Sequence, residues 1–145
     1  MAVRRVDPEQ AAALLSEGWT CLDVRSVAEF EAGHIPGSFN IPLFDFEPGR
    51  GLVPNTNFLA EVLENFEVGR RMVVACKSGV RSASAAAALM QAGFEAVVDL
   101  RGGLLGEVGP DGVLASAGWQ PLGLPVAAGD EPGRSYRDLR RGQPR

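Results

Sequence analysis

The stretch from residue 72 to residue 100 constrains this chain most. Two short apolar runs, MVVAC (72–76) and AVVDL (96–100), flank an alanine-rich segment of helical length. Neither run alternates polar with apolar residues, so neither suits a sheet with one wet face. Continuous runs of this length belong to strands covered on both faces. Parallel neighbours need a long crossover, and a strand, a helix and a strand here make one βαβ unit, right-handed by the usual rule. Two further runs of strand length, WTCLDV (19–24) and SFNI (38–41), lie among helix signals, and together they predict a small α/β sandwich. In such sheets sites gather at the C-terminal strand ends, where Asp23, Cys76 and Asp99 would emerge.

The helix signals are explicit. Asp7 caps a helix that begins at Pro8, with Gln10 at the capping-box position and Gly18 beyond the end. Ser26 repeats the pattern with Glu29, and Gly33 closes that short helix. A third helix is predicted over 57–66 and a fourth over 81–92, each followed by a glycine. A chain of 145 residues supplies one such domain. Residues 5–126 are assigned to it. The remaining 127–145 are read as a flexible tail, because 129–145 carry almost no apolar content. The tail arginines, Arg134, Arg137, Arg140, Arg141 and Arg145, are read as a solvated end.

Totals exclude several classes. A net charge of −4 argues against non-specific nucleic-acid binding, which needs a positive face. No apolar run approaches the roughly 20 residues of a membrane span, and MAVRRVDPEQ lacks the apolar core of a secretory signal, so a cytoplasmic location is expected. Two cysteines and one histidine make neither a disulfide framework nor a zinc set, and free thiols fit a reducing compartment. No metal and no cofactor are implied.

The two cysteines differ in company. Cys21 lies inside WTCLDV and is read as core, whereas Cys76 ends a strand and is followed by KSGVR and a helix. A free thiol titrates at about 8.5, and a helix N-terminus with neighbouring cations lowers that to about 3.5–7.5. The loop CKSGVR offers successive N–H groups that can turn inward, and Gly79 permits the sharp path. Lys77 and Arg81 add two cations, so the features that favour a thiolate also attract an anionic substrate. Cys76 is therefore the candidate nucleophile, held reachable from solvent, with Lys77, Ser78, Gly79, Val80 and Arg81 as its binding loop. Asp23, Arg25 and Ser82 are assigned supporting roles. Asp23 and Arg25 either pair with one another or brace the loop, since buried charges need partners. His34, in GHIPG, is read as a turn or packing residue, and Gly102 and Gly103 as places of close backbone approach.

Loop length bears on the anion. Cysteine phosphatases use Cys-x5-Arg and need an acid to protonate the leaving alcohol, while the spacing here is Cys-x4-Arg, one residue shorter. A tighter loop leaves room for one added sulfur atom. When a thiolate takes the outer sulfur of thiosulfate, sulfite departs without a proton donor.

Four segments together resemble the rhodanese family. LDVRSVAEFEAGHIPGSFNIPL (22–43) is similar to its N-terminal signature, and VVACKSGVRSASAAAALMQAGF (73–94) to its active-site strand, loop and helix. VVDLRGG (97–103) matches its last strand and double glycine, and WQPLGLPV (119–126) its Trp and Gly-x-Pro ending. The resemblance implies a three-layer α/β/α sandwich with a small, mainly parallel sheet. It also implies a sulfurtransferase that moves sulfane sulfur from thiosulfate, or a similar anionic donor, through a Cys76 persulfide to a thiophilic acceptor. By the same resemblance the N–H groups of Lys77 through Arg81 hold the persulfide, and the Lys77 and Arg81 side chains attract the sulfonate. A carrier that takes sulfur from a desulfurase to a partner protein, and a non-catalytic binding module, are the alternatives. In one respect the chain departs from the family: residues 104–118 intervene between Gly103 and Trp119. With Pro110, Asp111 and Gly112 as a turn signal, they form either a loop near the site that selects the acceptor or a neutral excursion.

Overall fold

The computed structural model describes residues 3–141. The first half of the chain runs β1 (Arg4–Val6), α1 (Pro8–Ser16), β2 (Thr20–Asp23), α2 (Val27–Ala32), β3 (Phe39–Asn40), β4 (Phe44–Glu47), β5 (Gly51–Pro54) and α3 (Phe58–Asn65). The second half runs β6 (Met72–Ala75), α4 (Val80–Gln91), β7 (Val97–Leu100), β8 (Glu107–Val108), β9 (Leu114–Ser116) and α5 (Tyr136–Leu139). Among the described residues one sheet has five strands, in the order β1-β7-β6-β2-β3, and every neighbouring pair is parallel. β4–β5 and β8–β9 are separate antiparallel ribbons.

The period-2 geometry of a strand sends successive side chains to opposite faces. Met72 and Val74 of β6, with Leu22 of β2, pack against Phe58 and Val62 of α3 and against Ala85 and Leu89 of α4. Val73 and Ala75, with Cys21, Val98 and Leu100, pack against Ala11 of α1 and against Trp119. Two apolar layers flank the sheet, which is why its runs are continuous, and the result is an α/β/α sandwich. Cys21 belongs to the core, where burial pushes its thiol far up. Both capping boxes form: Asp7 and Gln10 at α1, Ser26 and Glu29 at α2. No described helix is long and apolar enough to cross a membrane.

Residues 127–141 correct the expectation of a flexible tail. Ala127 exchanges backbone hydrogen bonds with His34, and Leu139, only 7% exposed, joins the core beside Tyr136. The Tyr136 hydroxyl donates to the buried Glu61 carboxylate at 2.9 Å, and the Arg141 N–H reaches the same group at 2.7 Å. One tyrosine, one leucine and a buried carboxylate dock a segment that is otherwise polar, and such sparse anchors leave no trace in average composition. Three of the tail arginines are paired as well: Arg134 with Glu131, Arg137 with Asp130 and Arg141 with Glu64. The rest of the assigned tail, 142–145 with Arg145, lies outside the described residues.

The 104–118 segment is a hairpin. Its turn sits where Pro110, Asp111 and Gly112 predict it, with Gly112 at φ +81°. The hairpin returns the chain to its start: the Trp119 N–H donates to Gly103 O at 2.9 Å and the Gln120 N–H to Leu104 O at 2.9 Å. Trp119 therefore lies against the double glycine despite the residues inserted between them.

Candidate active site

β6 ends at Ala75 and delivers Cys76 to the floor of a tight turn. Gly79 holds φ +104° at the start of α4, a conformation that a side chain resists. A second reason for glycine is steric. A Cβ there would stand 2.6 Å from Nη2 of Arg5, which lies over the loop. No side chain caps α4 in the ordinary way. Instead the Cys76 Sγ accepts the N–H of Gly79 at 3.1 Å and of Ser82 at 3.2 Å, taking the place of an N-cap oxygen. Those donors and the positive end of a helix of 12 residues converge on one sulfur.

Opposite the loop, the chain is pinned by backbone. The Leu104 N–H donates to Cys76 O at 2.8 Å and the Leu105 N–H to Lys77 O at 2.9 Å. Gly103 makes this possible: a Cβ on it would lie 2.4 Å from Cys76 O. The close approach expected of the glycine pair is made against the cysteine loop itself.

The two expected cations have different fates. Lys77 is exposed and has no carboxylate partner among the described residues. Arg81 is bound bidentately by Glu29, Nη1 to Oε1 at 2.7 Å and Nη2 to Oε2 at 2.9 Å. This corrects the reading of Arg81 as a free attractor for the sulfonate: its charge is matched by a carboxylate from α2. The pair is tight on both sides. Burial opposes ionisation of Glu29, but the bonds from Arg81 and from Ser26 outweigh it and bring the carboxyl down to about 2. The bond to Glu29, partly offset by burial, raises Arg81.

Cys76 is only 1% exposed, so the expectation of a freely reachable sulfur is also corrected. Beside the loop, a cavity of about 360 Å³ opens between Arg25, Glu29 and Gly33 on one side and Lys77, Leu105 and Gln120 on the other. A larger groove of about 500 Å³, between Phe39, Phe66, Arg70 and Leu139, contains no nucleophile.

Asp23 and Arg25 pair with one another. Arg25 Nη2 donates to Asp23 Oδ2 at 2.7 Å and to Gly33 O at 2.6 Å, while Asp23 Oδ1 accepts the Arg25 N–H at 3.0 Å. They brace the mouth of the site and do not touch the sulfur. His34 is fully buried and stacked on Phe30 at 3.9 Å; its nitrogens meet Phe30 O and Glu131, so it is a packing residue.

Ser82, assigned a supporting role from the sequence, meets partners that were not assigned to the site. Ser82 Oγ stands 3.3 Å from Sγ and donates to Oδ1 of Asp99, which is fully buried on β7. Arg5 Nε donates to the other Asp99 oxygen at 3.1 Å, and Arg5 Nη2 to Glu107 Oε1 at 3.1 Å. Glu29 carries a signal, but its capping box accounts for the residue locally and hides the second role. Arg5 and Glu107 carry none, because they meet only when β1 pairs with β7 and the hairpin folds back.

Residues 7–106 match the family model of the rhodanese-like domain. The chain belongs to the rhodanese-like domain family. The family match ends where the 104–118 hairpin begins. The domain is 39% identical over 102 residues to rhodanese-like domain-containing protein 17 of Arabidopsis thaliana, covering 69% of this chain and 65% of that protein. It is 35% identical over 115 residues to thiosulfate sulfurtransferase 16, chloroplastic, of the same plant, covering 79% of this chain and 85% of that protein. The chain spans about half to two thirds of the length of several of these relatives. Among solved structures, Rv0390 from M. tuberculosis superposes with a TM-score of 0.73 at 27% identity, over 89% of this chain and all of that one.

Proposed function

We propose that the domain is a sulfurtransferase that carries sulfane sulfur on Cys76, with thiosulfate or a similar anion as donor. The observation that carries this reading is the sulfur itself, seated as the cap of α4 with the Gly79 and Ser82 N–H groups on it. Such donors favour a thiolate, and a thiolate is the nucleophile. The thiolate attacks the outer sulfur of the donor. A new S–S bond forms, the bond to the sulfonate sulfur breaks, and sulfite leaves with the electron pair. A thiophilic acceptor then attacks the terminal sulfur and releases Cys76 as thiolate. Lys77 is the cation at hand to attract the donor's sulfonate, while Arg81, held by Glu29, shapes the wall. The six-residue loop and the names of relatives such as thiosulfate sulfurtransferase 16 support sulfur rather than phosphate as the transferred group.

A second reading has one observation in its favour. Val80, on the loop, is 72% exposed and Leu105, at the mouth, 45% exposed, and this apolar rim suits a protein donor or acceptor of persulfide. A reducing compartment, where free cysteines persist, suits either reading. The test is intact mass after incubation with thiosulfate, with and without cyanide. A gain of one sulfur atom on Cys76 that cyanide strips supports catalysis on small donors. Loading only in the presence of a desulfurase selects the carrier, and no loading under either condition rejects both.

A further inference from the structure

The chain of groups behind the sulfur is continuous. Cys76 Sγ donates to Ser82 Oγ at 3.3 Å, Ser82 Oγ donates to Asp99 Oδ1, and Asp99 Oδ2 accepts from Arg5 Nε at 3.1 Å. Cys76 is 1% exposed, and Ser82 and Asp99 are fully buried, so water does not interrupt the wire. The fold sets the spacing. β6 and β7 are neighbours with Val74 opposite Asp99, and Ser82 lies in the first turn of the helix between them. No histidine takes part, since His34 is engaged elsewhere.

We propose that Cys76 and Asp99 share one proton through Ser82, so that the thiol ionises by protonating a buried carboxylate rather than by losing its proton to water. The balance is simple. The S–H proton passes to Ser82 Oγ as the Ser82 O–H proton passes to Asp99 Oδ1. Thiol and carboxylate become thiolate and carboxylic acid with no change in total charge, which matters in a dry interior. When the acceptor releases Cys76, the same proton returns along the same path. Ser82 touches the reacting sulfur, and Asp99 is a positioning residue that acts through it.

The groups that face this pair come from several elements. Arg5 reaches Asp99 from β1, Glu107 reaches Arg5 from β8, Ser82 and Arg81 face Cys76 from α4, and Glu29 of α2 answers Arg81. Burial pushes the Asp99 carboxyl up, against the pull of Ser82 and Arg5. Glu107 adds to the upward push, directly on Asp99 and by drawing on the charge of Arg5. The hairpin at 104–118 thereby gains a role: its first strand sets how strongly Arg5 holds Asp99.

This inference concerns the same sulfur as the persulfide reading and uses that reading only for the step after ionisation. The experiment is a pH titration of thiolate absorbance in the ultraviolet on the full chain, without donor, using Cys76→Ser as the blank. Two groups that share a proton titrate as a pair, so the wild-type thiolate should appear in two steps about one pH unit or more apart. Asp99→Asn should merge them into one step, and Ser82→Ala should shrink their separation. Glu107→Gln should move the first step to lower pH, because a freer Arg5 eases ionisation of the carboxyl. A single wild-type step overturns the proposal whether or not Asp99→Asn moves it, and the wild-type curve alone decides if that variant does not fold. Sulfur loading is measured separately by mass, so a failed relay and a failed sulfurtransferase are told apart.

Discussion

Gly103→Ala tests the contact that holds the cysteine loop in place. Gly103 sits at φ +58°, and an added Cβ would lie 2.4 Å from Cys76 O, 2.6 Å from Lys77 C and 2.7 Å from Lys77 O. All three atoms are backbone, so no side chain can swing aside. The left-handed conformation costs an alanine about 1–2 kcal/mol. Relieving the clash also separates the two segments and breaks the bonds from Leu104 N–H to Cys76 O and from Leu105 N–H to Lys77 O, each contributing about 1 kcal/mol. The total is about 3 kcal/mol, or a fall in Tm of roughly 10 °C for a domain of this size. Gly112→Ala is the control. It has a similar φ of +81° with nothing within 4 Å of the new Cβ, so it carries the conformational cost alone. Thermal unfolding followed by circular dichroism, with initial rates of sulfur transfer below the transition, should show Gly103→Ala losing about twice as much stability as Gly112→Ala. Only Gly103→Ala should lose activity. Equal stabilities and equal rates for the two variants would refute the argument that the double glycine holds the loop.

Other outcomes follow from the same geometry. Cys76→Ser should abolish sulfur loading while leaving the unfolding curve in place, since oxygen still accepts the two N–H groups; residual loading on the variant would move the nucleophile elsewhere. Lys77→Ala should raise the donor KM roughly fivefold with kcat nearly unchanged, an effect that added salt should erase; a loss confined to kcat contradicts simple attraction. Glu29 ionises well below the usual carboxylate range when folded, so its contribution is complete above that range and is lost as pH falls toward about 2. With the group 28% exposed, about 2 kcal/mol is a discounted figure for that contribution. Glu29→Gln should be less stable by that amount at neutral pH, and the gap should close in acid; a gap independent of pH removes the ion pair as its cause. Tyr136→Phe takes one donor from the buried Glu61 and should cost about 1–3 kcal/mol, and deleting residues 127–145 should cost more; a truncated domain as stable as the full chain would return the segment to the status of a loose tail.

What the amino-acid sequence determined by itself is local. The βαβ unit, both capping boxes, the turn at residues 110–112, the core role of Cys21 and the six-residue loop that presents Cys76 all depend on residues within a few positions of one another. Propensity, spacing and loop length act at that range, so they can be read from the chain. The tertiary structure decided which charges meet. Glu29 neutralises Arg81 across 52 positions, Arg5 reaches Glu107 across 102, and Tyr136 meets Glu61 across 75. The sequence pointed to two cations at the site, whereas the fold pairs Arg81 with Glu29 and leaves Lys77 without a carboxylate partner among the described residues. An ion pair or a buried hydrogen bond depends on which side chains the strand order brings together, and strand order is a property of the whole sheet. The candidate nucleophile, Cys76, was therefore legible in the sequence, while the hydrogen-bonded chain behind it and the charge balance around it became visible only once β1 and β6 were placed on either side of β7.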